Sequence, residues 1–346
     1  DPMPERVVSL ANEVSDLATD KLRAIERVAN QTQMLALNAR IQAAHAGERG
    51  AAFSVVSEEV GQVAGHVKEL SEGLSDELRP RISQLDQLGR ALTLAVPGQR
   101  ATDLALYAVE LIDRNLYERT CDVRWWATDS AVVDVCTDPT AEGAVPHACH
   151  RLGVILSSYT VYLDLWVADR NGRVIAHGRP DRYRGVIGSD VSNERWFQQA
   201  MATRSGEDFA VDDIMRLQHL DNESVATYAT AIRAGAENHG QAIGALGIFF
   251  DWGPQAQGIV EGLRFNDDER SRTRAMLLDA NHRVIASTGN EGLLTERFPL
   301  KEDGREGGYY TDGNKIIGFH RTPGYETYEG LGWLGCIVQE RAAPQD

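Results

Sequence analysis

"QTQMLALNARIQAAHAGERGAAFSVVSEEV", residues 31–60, decides how the first part of the chain folds. It is rich in small residues, nearly free of aromatics and broken in the middle by Ala46-Gly47-Glu48-Arg49-Gly50. Beyond the break, Val56, Val60, Val63, Val67, Leu70 and Leu74 alternate steps of four and three, the spacing of a coiled-coil seam. Before it the pattern is looser, with Val14, Leu17, Ile25, Val28 and Leu35 on one side. The spacing predicts two antiparallel helices meeting at the Gly47–Gly50 turn, each about 40 residues and roughly 60 Å long at 1.5 Å per residue. This hairpin is expected over residues 4–95. Many seam neighbours are Ala or Gly, so neither arm buries its seam alone. Two chains forming a four-helix bundle would, and a homodimer is expected.

Composition sets the outer limits. A chain of 346 residues calls for two or three folding units, and 42% hydrophobic residues suffice for a sizeable core. A formal charge of −16 argues against nucleic acid, whose phosphates it would repel. Cys121, Cys136, Cys149 and Cys336 lie at irregular spacing without a CxxC pair, which predicts reduced thiols and a cytoplasmic location. The most apolar run, "AIGALGIFF" (242–250), falls far short of the roughly 20 residues of a membrane helix. No basic segment leads into an apolar one near the start, so no signal peptide is expected, and Met3 is a candidate first residue.

The opening stretch resembles the signalling tip of bacterial methyl-accepting chemotaxis receptors. The match runs from Val28-Ala29 through Gln31-Thr32, Leu35-Ala36-Leu37-Asn38-Ala39, Ile41 and Ala43-Ala44. It continues through Ala46-Gly47-Glu48, Gly50, Phe53, Val55-Val56 and Glu59-Val60. The resemblance implies a tip that contacts a chemotaxis histidine kinase and its coupling protein, through Gln31, Leu35, Asn38, Glu48, Phe53 and Val56. The chain departs from the family pattern at Arg40, Gln42, His45 and Ala51-Ala52. The short arms leave no room for the adaptation helices of a full receptor, so methylation at Glu58 or Glu59 is not expected.

Val96-Pro97-Gly98 predicts a break, followed by a fresh helix over residues 99–129. From Tyr159 onward the apolar period drops to two, the mark of strands. "VADRNGRVIA" (167–176) returns as "LLDANHRVIA" (277–286), pairing Asp169 with Asp279, Asn171 with Asn281 and Arg173 with Arg283. Two copies of one strand–turn–strand unit in tandem are the economical reading. The arrangement resembles a double Cache sensor, a PAS-like family with a long leading helix and two stacked α/β modules. The expected fold is therefore α+β: a helical hairpin, then a long helix with two tandem modules of antiparallel sheet. The first module, with the long helix, is expected over 99–264 and the second over 265–341. Strands are expected at Tyr162–Asp169, Arg173–His177, Glu207–Ile214, Val225–Ala234, Gln241–Asp251 and Trp333–Gln339, with a helix at "NERWFQQAMA".

The resemblance places a ligand in the first module, between the sheet and residues 179–200. The amino-acid-binding branch carries Arg-x-Trp-Tyr on that helix, then a Tyr and an Asp. Here the helix reads Glu194-Arg195-Trp196-Phe197, Asp212 falls near the later Tyr, and Phe249 replaces the Asp that grips an ammonium group. An amino-acid ligand is therefore disfavoured. A small anionic molecule is expected instead, held by Arg182, Arg184, Arg195, Trp196, Asp212 and Tyr228. The competing reading makes these arginines surface pairs of an acidic protein.

"HACH" (147–150) with Cys136 offers soft metal ligands, but on a helix His147 and Cys149 point to different faces, and no metal or other cofactor is expected. No GxSxG, P-loop, GxGxxG or HExxH pattern occurs, so no enzyme is expected. The expected function is a chemotaxis-type sensor and transducer. The alternative is a dimeric ligand-binding regulator whose hairpin is only a dimer scaffold.

Overall fold

The computed structural model describes residues 3–341. It divides into two compact units, which meet between Pro97 and Gly98.

In the first unit, α1 (Met3–His45) and the first part of α2 (Ala51–Trp126) flank a 3-10 turn, Gly47–Gly50. The arms run antiparallel: Gly50 lies on Ala43, Gly61 on Ala36 and Gly89 on Val8. Gly47 takes φ +62°, which opens the turn and suits glycine. The residues between the arms are small and fall at heptad intervals. Ala29, Ala36 and Ala43 are buried on α1, and Ser57, Ala64 and Ser71 on α2. A Cβ on Gly50 would lie 2.1 Å from the carbonyl oxygen of Ala43, so the backbones touch at the turn.

The large seam residues lie elsewhere. Val63 is 61% exposed and Leu70 73%, and Val56 and Leu74 are also exposed. On α1 the same holds for Val14, Leu17, Ile25, Val28 and Leu35. Each hairpin thus holds itself together by small residues and leaves its large apolar stripes uncovered.

The expected break at Pro97 does not occur. Helix α2 keeps its helical backbone through Pro80 and Pro97 to Trp126. Proline removes one backbone donor, and beside it the ring of Tyr309 sits against Gly98, where a Cβ would come within 2.4 Å of Cδ2.

In the second unit, α3 (Ser130–Thr137) and α4 (Ala144–Ser158) precede the first sheet. Its strands are β1 (Tyr162–Asp169), β2 (Val174–His177), β3 (Ala210–Leu217), β4 (Glu223–Arg233) and β5 (Ala242–Asp251), with α5 (Arg195–Met201) between β2 and β3. Helices α6 (Trp252–Gly262) and α7 (Asp267–Ser271) lead to the second sheet. That sheet holds β6 (Thr273–Leu278), β7 (Val284–Ser287), β8 (Gly307–Asp312), β9 (Lys315–Arg321) and β10 (Leu334–Glu340). Both are antiparallel with one strand order, β2-β1-β5-β4-β3 and β7-β6-β10-β9-β8.

The internal repeat explains that identity. Asp169 Oδ1 accepts the amides of Asn171 and Arg173, both at 2.9 Å. Asp279 Oδ1 accepts those of Asn281 and Arg283 at 2.8 and 3.0 Å. The same Asp-capped turn opens each sheet. The third expected strand is displaced: it runs from Ala210 to Leu217 rather than from Glu207, because Ser205 to Asp208 form a turn closed on the Asp208 carboxylate.

Helix α2 lies on both sheets of this unit. Ile112, Leu116 and Val123 join Tyr162, Leu165, Tyr228, Leu246 and Ile248 in one core. Arg119, 4% exposed in its side chain, stacks on Tyr162 and Phe250 at 5.0 and 5.2 Å. Its Nε lies 3.2 Å from Asp122 Oδ2, close enough for charge attraction but off the line of a hydrogen bond. The phenol of Tyr162 donates to the same carboxylate at 2.5 Å. Against the second sheet the helix approaches at two glycines. A Cβ on Gly335 would lie 2.1 Å from the carbonyl oxygen of Ala105, and one on Gly318 would meet Ala101 at 2.5 Å.

Gly335→Val should therefore destabilise the second unit by about 1–3 kcal/mol, the range for overpacking a filled core. Gly258→Ala, in α6 with open space around it, should be neutral or stabilise by about 0.4–1 kcal/mol. Urea unfolding of the two variants checks the contrast.

Candidate functional site

The first sheet has two different faces. One packs on α2. The other carries Leu163, Trp166, Ala168, Ala229, Ala245 and Phe249 and is covered by Tyr183, Val186, Trp196 and Phe197 from the segment ending in α5. Trp196 reaches the sheet because residue 247 is glycine: a Cβ there would lie 2.9 Å from the indole Cζ3. Its ring meets Phe249 edge-on at 5.8 Å, and Phe249 meets Trp166 at 4.3 Å.

Beside these aromatics lies a buried polar cluster. Asp164 Oδ2 accepts from Trp166 Nε1 at 3.0 Å and lies 2.6 Å from His177 Nδ1. Its Oδ1 accepts the amides of Leu165 and Gly178 at 2.8 and 3.0 Å. Both oxygens are thus fully engaged, as a carboxylate with no solvent exposure requires. Two neighbouring donors are not. Trp196 Nε1 and the Tyr183 hydroxyl are buried and have no hydrogen-bond partner among the described residues. Burial pushes the Tyr183 phenol above its ordinary pKa, with Arg182 pulling the other way.

Of the expected ligand residues, only Trp196 lies within this cluster. Arg182 is exposed, stacks on the Tyr183 ring at 4.8 Å and reaches Asp221 at 3.4 Å. Arg184 is exposed and donates to the carbonyl of Asp181 at 3.4 Å. Arg195 is 61% exposed, 3.6 Å from Asp213 and 3.9 Å from Asp212, whose Oδ1 accepts the Asp213 amide. The three guanidiniums therefore face solvent or acidic neighbours and do not converge. Tyr228 belongs to the opposite face: it packs in the α2 core, and its hydroxyl lies 3.2 Å from that of Tyr328. Tyr228 is thereby removed from a site under α5.

Asp164, Trp166, His177 and Tyr183 are not among the residues the sequence singles out. Asp164 had a legible signal, a lone charge inside the apolar run "YLDLWVA". Tyr183 had none, since it lies among arginines in an irregular segment.

At the other end of the chain the tip residues are all exposed: Gln31, Leu35 and Asn38 on α1, Glu48 in the turn, Phe53 and Val56 on α2. Leu35 is 67% exposed and Phe53 59%, unusual for large apolar side chains. The "HACH" stretch lies in α4, and among the described residues no cluster of His, Cys, Asp and Glu could hold a metal ion. Trp126 packs on Tyr159 and Tyr162, whereas Trp125 is 69% exposed.

Comparison with known proteins separates the same two parts. Residues 5–82 match the family model of the methyl-accepting chemotaxis protein signalling domain. The methyl-accepting chemotaxis protein McpA of Bacillus subtilis is 47% identical over 83 residues, which are 23% of this chain and 12% of that protein. The matched stretch spans 10–14% of the length of such curated relatives. Two solved structures are similar in fold, each with a TM-score of 0.51. The sensor domain of the V. cholerae histidine kinase DctB is 13% identical, over 73% of this chain and 99% of that one. The ligand-binding domain of the Pseudomonas aeruginosa amino acid chemoreceptor PctC, solved with GABA, is 14% identical, over 70% and 99%. The chain thus joins a segment similar to the chemotaxis-receptor signalling domain to a unit of two antiparallel sheets, and it is similar in fold to these two solved domains.

Proposed function

We propose that this chain is a non-enzymatic chemotaxis-type transducer, a dimer whose first module binds a small ligand and whose hairpin tip engages a histidine kinase and its coupling protein. The observation that carries the reading is the ordered receptor-tip sequence at residues 28–60, within the stretch that matches the signalling family. The hairpin's own packing agrees with it. Its small residues face inward, so the stripe Val56, Val63, Leu70, Leu74 remains for a second copy. Four free cysteines suit a reducing cytoplasm. No helix among the described residues is long and apolar enough to cross a membrane.

The ligand site we assign lies under α5. Tyr183 and Trp196 supply its unspent donors, Phe249 and Trp166 its wall, and Arg182 its rim. Arg184, Arg195 and Asp212 lie outside it. Two donors without partners favour a small molecule with a hydrogen-bond acceptor, and each such bond is worth about 1 kcal/mol net. Ligand binding changes how α5 closes on the sheet, and α2, on the opposite face, responds. This is a population shift, in which the ligand biases two packings already accessible to the chain. The hairpin end of α2 then repacks within its bundle.

Purified chain should capture a chemotaxis histidine kinase together with its coupling protein, and Glu48→Lys should abolish capture while leaving the oligomeric state unchanged. Capture unaffected by the substitution, or absent in the parent, supports the scaffold reading instead. Sedimentation should show a dimer at micromolar concentration, and Val63→Glu with Val67→Glu should shift it to monomer, since seam charges lose hydration without gaining partners. In a thermal-shift screen of small carboxylates and amides, a hit belonging to the α5 site should lose its stabilisation in Tyr183→Phe. A hit that stabilises Tyr183→Phe and Trp196→Phe as much as it stabilises the parent chain contradicts the assigned site.

A further inference from the structure

A cleft in the first module opens beyond the C-terminal end of α5. Its volume is about 200 Å³, and it opens between the last turns of α2, the loop at Gly206 and Glu207, and the end of β4. Two arginines line it, Arg124 and Arg233. Arg233 is only 7% exposed. Its Nη1 donates to the carbonyl of Gly240 at 2.9 Å, and its Nη2 to the carbonyl and hydroxyl of Thr203 at 2.6 and 3.2 Å. Its Nε has no hydrogen-bond partner among the described residues. Arg124 stacks on Phe209 at 5.8 Å and donates to the carbonyls of Thr120 and Glu207 at 2.7 and 3.4 Å.

All these oxygen acceptors are neutral. A guanidinium stays charged at any physiological pH, and burying it without a counter-charge is expensive. Asp208 feels the charge of Arg233, but its Oδ2 accepts the backbone amides of Arg204 and Ser205, which hold its carboxyl below the usual range. Among the described residues neither guanidinium forms a salt bridge with a carboxylate: their hydrogen bonds go to neutral acceptors, and Asp208 is the carboxylate whose charge Arg233 feels. Ala127, Ala231 and Ala236 give it an apolar wall, while Glu207 and Glu237 on the exposed side disfavour a second negative charge.

We propose that this cleft is a binding site for a short-chain aliphatic monocarboxylate, its oxygens facing Arg124 and Arg233 and its alkyl part against the alanines. The site is independent of the one under α5. Its occupant ties the end of α2 to the end of β4, a second point at which a small molecule acts on that helix.

Titration calorimetry on the full chain at constant ionic strength tests it, with sodium butyrate, sodium succinate and inorganic phosphate as probes. Butyrate should bind, and succinate and phosphate should bind more weakly or not at all. Arg124→Gln should weaken butyrate at least about tenfold, the loss expected for one charged hydrogen bond. Arg124→Lys should retain part of the affinity, and Tyr183→Phe all of it. Arg233→Lys, which keeps the charge where a neutral residue risks misfolding, should also weaken binding while preserving the far-UV spectrum. No heat with butyrate, unchanged affinity in Arg124→Gln, succinate or phosphate binding as tightly as butyrate, or loss of butyrate binding in Tyr183→Phe would each overturn the proposal.

Discussion

Close approach of backbones along α2 is the constraint on which both units depend. In the first unit the helix meets α1 across Ala, Ser and Gly at heptad intervals. In the second, Ala101 and Ala105 of the same helix meet Gly318 and Gly335 of the second sheet. Neither contact leaves room for even one added methyl group at its tightest glycine. A contact of this kind contributes little apolar area per residue, so its strength lies in many short van der Waals contacts. In the hairpin it also decides which residues are left over. With the small residues turned inward, the large valines and leucines have no partner among the described residues, and their exposure follows from the packing.

The two sheets show how a short repeat fixes a whole topology. An aspartate that caps its own turn sets the register of the first two strands in each copy, and the remaining strands follow in the same order. The copies then diverge in what covers them. The first acquires the Tyr183–Trp196 segment and a polar cluster around Asp164; the second has a smaller core of Met276, Leu278, Phe319 and Leu334. Unspent buried donors under the first module's cover are the chemical reason to place recognition there.

Sequence pattern carried the hairpin, the repeat and most strand positions, because each rests on periodicity or local turn chemistry. It failed where tertiary packing overrides a local signal. Pro97 reads as a helix breaker, yet the helix continues through it, with Tyr309 packed on Gly98 beside it. Tyr228 was assigned to the wrong face because β4 is buried almost throughout, so no polar alternation distinguishes its two sides. The arginines of residues 179–195 looked convergent because proximity in sequence says nothing about side-chain direction in an irregular segment. Tyr183, in the same segment, was invisible for the same reason.

The central claim is that the uncovered stripe of α2 is the seam between two copies of the chain. Cysteine cross-linking reads it directly, using Val63→Cys on the exposed stripe and Ala64→Cys on the buried face of the hairpin, 2% exposed. Mild oxidation should convert Val63→Cys to a covalent dimer well above the level of the parent chain, and leave Ala64→Cys at that level. Equal cross-linking at both positions, or none above the parent at Val63→Cys, would contradict the account.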